Sequence, residues 1–264
     1  MFTLVTGVGY TGRRVLALLP RESVVGLSRA ALDSDRPTIV FDLDSATTLP
    51  VALPPQYTVV YTVPPKGDAP DARLKGFLSL LEPPPRRFVY ISTTGVYGDC
   101  GGAAVNEATP VNPANDRSGR RVAAETLLAE WAGKNACELV ILRAPGIYGP
   151  GRLGLENIRS GVPVLAVNDA NPGNRIHVDD LAACCVAALA EHAPAGIYNV
   201  GDGDHRSTTW FTGEVARQAG LPAPPVISRE AANEQFSAAR LSFMAESRRV
   251  DTRKMREVLG VTPR

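Results

Sequence analysis

Residues 1–19 read MFTLVTGVGYTGRRVLALL, and this stretch is the strongest indication of the fold. A short apolar run ends at Thr6, and Gly7, Gly9 and Gly12 then match the pattern GxGxxG ahead of apolar residues at helical spacing. A strand, a glycine turn and a helix in this order indicate a dinucleotide-binding loop, with a purely structural turn as the alternative. Gly7 allows the tight turn, Gly9 lets the backbone approach a pyrophosphate, and Gly12 permits close packing of helix on strand. We expect the free N–H groups at the start of the helix to bind the phosphates.

The end of the second predicted strand, Ser23–Leu27, indicates which dinucleotide is bound. A dinucleotide fold places the group that reads the adenosine ribose about 20 residues after the glycines, and here Ser28 and Arg29 follow the strand without a carboxylate. A carboxylate would bind the ribose hydroxyls and repel a 2′-phosphate, whereas the planar guanidinium of Arg29 can bind that phosphate. We therefore expect NADP(H) rather than NAD(H). Asp33 and Asp35 in the following loop keep NAD(H) open as the alternative.

Strands and helices alternate along the rest of the chain. Further strands are predicted at Thr38–Phe41, Tyr57–Val63, Arg87–Ser92, Leu139–Leu142 and Ile197–Val200, with helices at Leu74–Leu81 and Arg121–Ala136. This alternation predicts an α/β fold of the Rossmann type with a doubly wound, mainly parallel sheet. We assign residues 1–150 and 175–200 to an NAD(P)-binding domain. Residues 151–174 and 201–264 are assigned to a small substrate-binding lobe over the carboxyl ends of the strands.

The composition excludes several classes of partner. The 28 Lys and Arg residues balance 27 Asp and Glu residues, so no overall charge favours nucleic acid or an anionic membrane. No apolar run is long enough to span a bilayer, and the amino terminus lacks a secretory layout. The four cysteines have no CxxC spacing and the three histidines no metal-ligand spacing. We expect reduced, mostly buried thiols, a cytoplasmic location and no metal.

Two later segments carry local predictions. In RIHVDDLAACCVAALAEH, which starts at residue 175, Asp179 or Asp180 is expected to cap an apolar helix, and His177 is expected to be a buried, hydrogen-bonded residue. The basic run SRRVDTRKMREVLG, residues 247–260, is interpreted as the solvated face of a helix, with phosphate binding as the alternative.

Six segments carry a resemblance to a known family. TGVGYTG, Asp42-Leu43, STTGVYG, LRAPGIYGPGR, RIHVDDLA and YNVGDG occur in this order between Thr6 and about Gly203. In this order they resemble the extended branch of the short-chain dehydrogenase/reductase superfamily, the NAD-dependent epimerase/dehydratase type. Within it the chain is similar to an atypical subgroup of uncharacterised bacterial epimerase-like proteins. The resemblance implies an oxidoreductase or epimerase that acts by cofactor hydride transfer on a small carbonyl or nucleotide-sugar-like substrate, and a possible homodimer.

The resemblance also assigns roles to single residues. Thr93 matches the hydroxyl residue that binds a substrate oxygen beside the nicotinamide, Asp42 and Leu43 match a pair that contacts adenine, and Arg175 matches a position that meets a diphosphate. The full set of cofactor-binding candidates is Gly7, Gly9, Tyr10, Thr11, Gly12, Ser28, Arg29, Asp42, Leu43, Thr62, Pro64, Pro145 and Ile147. The substrate-binding candidates are Tyr97, Arg152 and Arg175.

One departure from the family pattern concerns the reaction itself. The family opens its next helix with YxxxK, but the run that starts at Val122 places Arg117 at the Tyr position and Arg121 at the Lys position. In the family the Tyr exchanges a proton with the substrate, and the Lys holds the ribose and lowers the Tyr pKa. A guanidinium stays charged in proteins, so Arg117 is a poor proton donor. We take Thr93, Tyr148 and Arg121 as catalytic candidates, and a catalytically impaired NADP(H)-binding sensor or scaffold as the alternative.

Overall fold

One seven-stranded sheet organises the computed structural model, which describes residues 1–67 and 71–264 apart from the side chains of residues 239 and 243. Its strands are β1 (Phe2–Thr6), β2 (Val24–Ser28), β3 (Thr38–Val40), β4 (Tyr57–Tyr61), β5 (Arg87–Thr93), β6 (Glu138–Ala144) and β7 (Gly196–Asn199). All neighbours are parallel, in the order β7-β6-β5-β4-β1-β2-β3. The predicted doubly wound α/β fold is thus confirmed. The strand order reverses between β1 and β4, where folds of this kind have their ligand crevice.

Helices cover both faces of the sheet. The helices are α1 (Gly12–Leu18), α2 (Ala72–Ser79), α3 (Asp116–Lys134), α4 (Leu155–Arg159), α5 (Val178–Ala187), α6 (Thr208–Gln218), α7 (Arg229–Gln235), α8 (Ala238–Met244) and α9 (Arg253–Val258). Because side chains alternate along a strand, Val5 and Val60 pack with α1 and α5 on one face, while Leu4 and Val59 pack with α2 and α3 on the other. Helices α1 and α5 also contact each other.

Three short two-stranded sheets pair segments that lie outside the seven-stranded sheet. They pair Gly146–Tyr148 with Arg175–His177, Val164–Leu165 with Val226–Ile227, and Ala104–Val105 with Arg249–Val250. No helix within residues 1–67 and 71–264 is long and apolar enough to cross a membrane. Over the same residues, no three His, Cys, Asp or Glu side chains converge in a way that could hold a metal ion.

Two helix starts differ from the sequence predictions. Helix α3 begins at Asp116 rather than at Arg121, because the side chain of Asn115 caps it by accepting a hydrogen bond from Ser118 N. Arg117 and Arg121 therefore both lie inside the helix, one turn apart. Helix α5 is capped by His177, whose Nδ1 accepts from the backbone N–H of Asp179 at 3.2 Å. Asp179 and Asp180 lie in the first turn and are not the cap.

The carboxyl-terminal part of the chain is not confined to the lobe. Met255 of α9 and Leu259 belong to the core on the α1–α5 face of the sheet, although the sequence places them in the lobe. All four cysteines are free, and Cys137, Cys184 and Cys185 are buried. Burial raises the pKa of Cys137 and of Cys184 to about 12.

The glycine loop after β1 depends on close backbone contacts. Gly7 has a φ of +92°, and a Cβ at this position would lie 2.6 Å from Val63 Cγ2. A Cβ at Gly12 would lie 2.2 Å from the carbonyl oxygen of Gly7. At Gly9, in contrast, a Cβ would meet no atom within 4 Å. The first and third glycines of the pattern are thus required by packing, and the second faces open space.

Replacing Gly12 or Gly9 by alanine compares a glycine that packs against backbone with one that faces open space. We expect Gly12→Ala to lower the free energy of unfolding by at least about 2 kcal/mol, because its methyl group overlaps a backbone carbonyl that cannot move away. Gly9→Ala is the matched control and should change it by less than about 0.5 kcal/mol. Urea unfolding followed by circular dichroism measures both. Equal stability of the two variants would contradict the packing account of Gly12.

A buried arginine organises the segment after β7. The Arg175 guanidinium lies 3.1 Å from the carboxylate of Asp202 and 2.7 Å from that of Asp204, and it donates to the carbonyl oxygen of Arg206 at 2.8 Å. Its Cζ also lies 5.4 Å from the centre of the Trp210 ring. These partners account for the charge of Arg175 within the protein, so the structure corrects the expectation that this residue meets a substrate diphosphate.

Arg175→Ala tests this structural role. Loss of the Arg175 guanidinium would leave the partly buried carboxylates of Asp202 and Asp204 without the cation that they share. We therefore expect the free energy of unfolding to fall by about 3–5 kcal/mol. Arg206 pairs with the same Asp204 at 2.7 Å but is 59% exposed, so Arg206→Ala should cost less than about 1 kcal/mol. Urea unfolding compares the two variants. A stable Arg175→Ala protein would restore the ligand-binding interpretation.

Candidate functional site

A cavity of about 550 Å³ opens where β1, β2 and β4 end, and we call it the glycine-loop cavity. Most of the predicted cofactor-binding residues line it. These are Gly7, Gly9, Tyr10, Thr11, Ser28, Arg29, Leu43, Thr62, Pro64 and Ile147. Thr62 ties the end of β4 to the loop, because its hydroxyl donates to the carbonyl oxygen of Gly7 at 2.6 Å. One edge of the sheet therefore collects residues from five separate segments of the chain.

Three predicted cofactor-binding residues lie elsewhere. Gly12 stands behind the loop against the Gly7 carbonyl. Asp42 does not line the cavity, and its carboxylate accepts from the backbone N–H of Asp44 at 3.0 Å within a turn. Pro145 lines a second cavity instead. Of the predicted adenine-contacting pair, Leu43 therefore lines the glycine-loop cavity and Asp42 does not.

The glycine-loop cavity is positively charged. Four arginines line it, namely Arg29, Arg73, Arg121 and Arg152, and no carboxylate does so within the described part of the chain. Asp44 does not line it, and the pKa of Asp44 is lowered by its hydrogen bond to Lys66 and by the charges of Arg73 and Arg29. Neither Asp33 nor Asp35 lines the cavity, and Asp35 pairs with Arg36 at 2.5 Å. The cavity is built for an anionic ligand.

A second cavity of about 840 Å³ lies between the ends of β5 and α3 and the later segments, and we call it the lobe cavity. Thr93 lines it, and its Oγ1 accepts from the backbone N–H of Gly95 at 3.1 Å. That bond leaves the hydroxyl proton of Thr93 for donation to a ligand. Ile147 and Arg152 line both cavities, so the two cavities meet at these residues.

The lobe cavity also carries an excess of cations. Arg117, Arg152, Arg240 and Arg248 line it, and Glu246 is its one carboxylate among the described residues. Glu246 accepts from Asn115 Nδ2 at 2.8 Å and pairs with Arg248 at 2.7 Å. Burial lowers the pKa of Arg240, which donates to the carbonyl oxygen of Pro163 at 2.7 Å.

Sequence reasoning missed most of these lobe residues. Arg240, Glu246 and Arg248 lie more than 100 residues after Thr93 and follow no motif that was recognised. Arg248 belongs to the basic run 247–260, for which phosphate binding was the alternative. In the structure it lies in the cavity wall, where its guanidinium pairs with Glu246 at 2.7 Å.

The two arginines that the resemblance aligns with YxxxK face different cavities. Arg121 lines the glycine-loop cavity and donates to the carbonyl oxygen of Ile91 at 2.7 Å and to the hydroxyl of Tyr90 at 3.1 Å. Arg117 lines the lobe cavity, and burial lowers its pKa. Helix α3 therefore presents one cation to each side of the junction.

A buried polar network lies behind the two cavities. Glu125 pairs with Arg143 at 2.7 Å and accepts from the Ser92 hydroxyl at 2.5 Å. Arg143 also donates to the hydroxyl of Tyr97 at 3.0 Å, which in turn donates to Asn199 Oδ1 at 2.7 Å. Tyr97 is 1% exposed and lines neither cavity. The structure therefore corrects its prediction as a substrate-binding residue.

Tyr148 is also absent from both cavity walls. Its ring packs between His177 and Phe211, with centroid distances of 5.3 Å and 5.1 Å, and burial raises its pKa. Of the predicted catalytic candidates, Thr93 thus lines the lobe cavity and Arg121 the glycine-loop cavity, while Tyr148 lines neither. Of the substrate-binding candidates, Arg152 alone lines a cavity, since Tyr97 and Arg175 are held in internal bonds.

Comparisons with known proteins agree with this architecture. The family model described as "NAD dependent epimerase/dehydratase family" matches residues 73–201. The protein YeeZ of Escherichia coli is 32% identical over 139 residues, which are 52% of this chain and 48% of YeeZ. The chain spans only 30% to 48% of the lengths of the first curated relatives it matches.

Solved structures cover the whole chain. A functionally unknown conserved protein from Silicibacter pomeroyi is 30% identical with a TM-score of 0.80, over 99% of this chain and 93% of that protein. MoeE5, solved in complex with UDP-glucose and NAD, is 22% identical with a TM-score of 0.76, over 100% and 94% of the two chains, and its likeness concerns the fold. The sheet order, the glycine loop and these matches lead to one conclusion: the chain belongs to the NAD-dependent epimerase/dehydratase family.

Proposed function

We propose that the protein is an NAD(P)-dependent oxidoreductase that acts on a small carbonyl or nucleotide-sugar-like substrate. The observation that carries this proposal is the pair of cavities that meet at Ile147 and Arg152, one containing the glycine loop and the other Thr93. Two ligands bound in these cavities would touch at the junction, as hydride transfer requires. MoeE5, which shares the fold, binds UDP-glucose and NAD and so offers the nucleotide-sugar precedent.

The residues present fit a nicotinamide dinucleotide. A Cβ at Gly9 would meet no protein atom within 4 Å, so the backbone here is open to a bound pyrophosphate. Four arginines and no carboxylate line the cavity within the described residues, which suits the charge of a pyrophosphate. When bound, the nicotinamide would supply or accept a hydride.

The protein's own groups would orient the substrate and stabilise charge. The hydroxyl of Thr93 is placed to donate to a substrate oxygen, since Gly95 N–H already occupies one of its lone pairs. Arg121, fixed by Ile91 and Tyr90, supplies a positive charge where the family has its Lys. Arg117 adds positive potential on the substrate side but cannot exchange a proton near neutral pH.

The ribose end of the cavity favours NADP(H). Ser28 and Arg29 line it, and the described residues contribute no carboxylate that would repel a 2′-phosphate. Neither Asp33 nor Asp35, the carboxylates that would favour NAD(H), lines this cavity. MoeE5 binds NAD, and the difference would lie in Arg29.

Arg29→Ala tests the choice of cofactor. The variant should raise the Kd for NADP+ about 10- to 100-fold while leaving the Kd for NAD+ within about twofold, because one charge-assisted phosphate contact is lost. Isothermal titration calorimetry measures both. Arg36→Ala serves as the control, because Arg36 lies close to Arg29 in the sequence but does not line the cavity. Tighter binding of NAD+ than of NADP+ by the unmodified protein would overturn the preference.

Thr93→Ala tests the role of the hydroxyl in the reaction. We expect kcat/KM for NADPH-dependent carbonyl reduction to fall about 100-fold, since a donor to the developing negative charge is removed. Thr93→Ser keeps the hydroxyl and should retain activity within about threefold. The Kd for NADP+ should not change in either variant, because Thr93 lines only the lobe cavity. Equal rates in all three proteins would exclude Thr93 from the reaction.

A second candidate is an NADP(H)-binding sensor or scaffold without turnover. One observation favours it: no tyrosine lines the lobe cavity among the described residues, and Arg117 stands at the family's Tyr position. This candidate predicts NADPH binding without oxidation of NADPH across a panel of carbonyl compounds and nucleotide sugars. Measured oxidation that depends on Thr93 would exclude it.

A further inference from the structure

A second arginine lies near Arg29 in the wall of the glycine-loop cavity. Arg73, in the first turn of α2, lines this cavity together with Ser28 and Arg29. Its Nη2 donates to the carbonyl oxygen of Pro64 at 3.2 Å, and its side chain is only 10% exposed. Pro64 follows β4 and Arg29 follows β2, with β1 between these two strands. Two strand spacings are about 10 Å, a distance that two arginine side chains can close on a single bound group.

The carboxylate of Asp44 connects these two arginines electrostatically. It lies 3.1 Å from Lys66 Nζ and 3.5 Å from Arg73 Nε. The pKa of Asp44 is lowered by the hydrogen bond from Lys66 and by the charges of Arg73 and Arg29. Arg29 and Arg73 therefore already act on one anion of the protein. Three cations around a single carboxylate leave an excess of positive charge at this end of the cavity.

The contact between Asp44 and Arg73 is a weak one. Arg73 Nε is buried and donates no hydrogen bond to any described group, so the 3.5 Å approach of Asp44 is an ion pair only. The side chain of Asp44 is 39% exposed, and it does not line the cavity. An ion pair with an exposed partner contributes little to stability. A ligand phosphate, with more charge and three acceptor oxygens, can therefore take the place of this carboxylate on Arg73.

We infer that Arg73 and Arg29 together bind the 2′-phosphate of NADP(H), and that this phosphate displaces Asp44 from Arg73. The inference rests on the proposed function and adds a second specificity-determining residue to Arg29. A phosphate monoester carries close to two negative charges at neutral pH, which suits two guanidinium groups. With NAD(H), which lacks this phosphate, Asp44 keeps its contact with Arg73. The preference for NADP(H) thus depends on an exchange of anions at Arg73.

Cofactor fragments test the role of Arg73, because they contain the adenosine end alone. Isothermal titration calorimetry compares 2′,5′-ADP with 5′-ADP, and NADP+ with NAD+. We expect Arg73→Gln to raise the Kd for 2′,5′-ADP and for NADP+ at least about 10-fold, because a charge-assisted contact is lost. The Kd for 5′-ADP and for NAD+ should stay within about twofold. Lys75→Gln is the control, because Lys75 lies on the same helix, is exposed and lines neither cavity.

Asp44→Asn tests the exchange of anions at a residue that is not buried. We expect this variant to lower the Kd for 2′,5′-ADP at least about threefold, because the phosphate no longer competes with a carboxylate. The Kd for 5′-ADP should stay within about twofold. In the Arg73→Gln protein the same change should lower the Kd for 2′,5′-ADP less than about twofold, because the cation that the two anions share is absent.

The outcomes separate this inference from the proposed function. A preference for NADP+ that survives in Arg73→Gln overturns the inference alone. So does an equal loss for both members of each pair, which would assign Arg73 to a part that the two cofactors share. Unchanged or weaker binding of 2′,5′-ADP by Asp44→Asn overturns it as well. An unmodified protein that prefers NAD+ overturns both the inference and the choice of NADP(H), and failure to bind either NADP+ or NAD+ would overturn the proposed function itself.

Discussion

The buried ion pair between Glu125 of α3 and Arg143 of β6 holds the candidate site together. It joins Ser92 at the end of β5, Tyr97 in the following turn and Asn199 of β7 into one hydrogen-bonded network. Breaking one partner of such a pair costs about 3–5 kcal/mol, because a charge would be left buried without compensation. The helix and the strands therefore cannot shift independently, and the arginines on the first two turns of α3 are fixed against both cavities.

Arginines have two different roles in this protein, and their partners distinguish the roles. Arg143 and Arg175 are buried and bound to carboxylates of the protein, so their charge is used within the fold. Arg152 and Arg240 line the lobe cavity, and no described carboxylate pairs with either of them. Arg152 is exposed to solvent and Arg240 is partly buried, so both guanidinium groups are accessible to an anionic ligand in the cavity. The near-neutral total charge of the chain conceals this local excess.

The sequence was sufficient for the fold and for most of the lining of the glycine-loop cavity, because both depend on local patterns. The GxGxxG spacing, the apolar strands and their alternation with helices are readable over short windows. Residues whose role depends on long-range contacts were not predictable in this way. Tyr97 and Arg175 carry groups suited to ligand binding, yet their partners Asn199 and Asp202 were visible only in the folded chain. The lobe residues have no spacing rule relative to Thr93, so sequence reasoning could not assign them.

Arginines at the two positions that the resemblance aligns with YxxxK would alter one half of the expected chemistry and leave the other half in place. Hydride transfer depends on contact between two ligands, and the shared wall at Ile147 and Arg152 provides for it without any ionisable tyrosine. Proton transfer depends on a group that titrates, and a guanidinium side chain stays charged in proteins. A substrate whose negative charge is stabilised by fixed cations has less need of a strong proton donor at the moment of transfer. The arginines at the junction are therefore consistent with a reaction in which electrostatic stabilisation replaces the tyrosine.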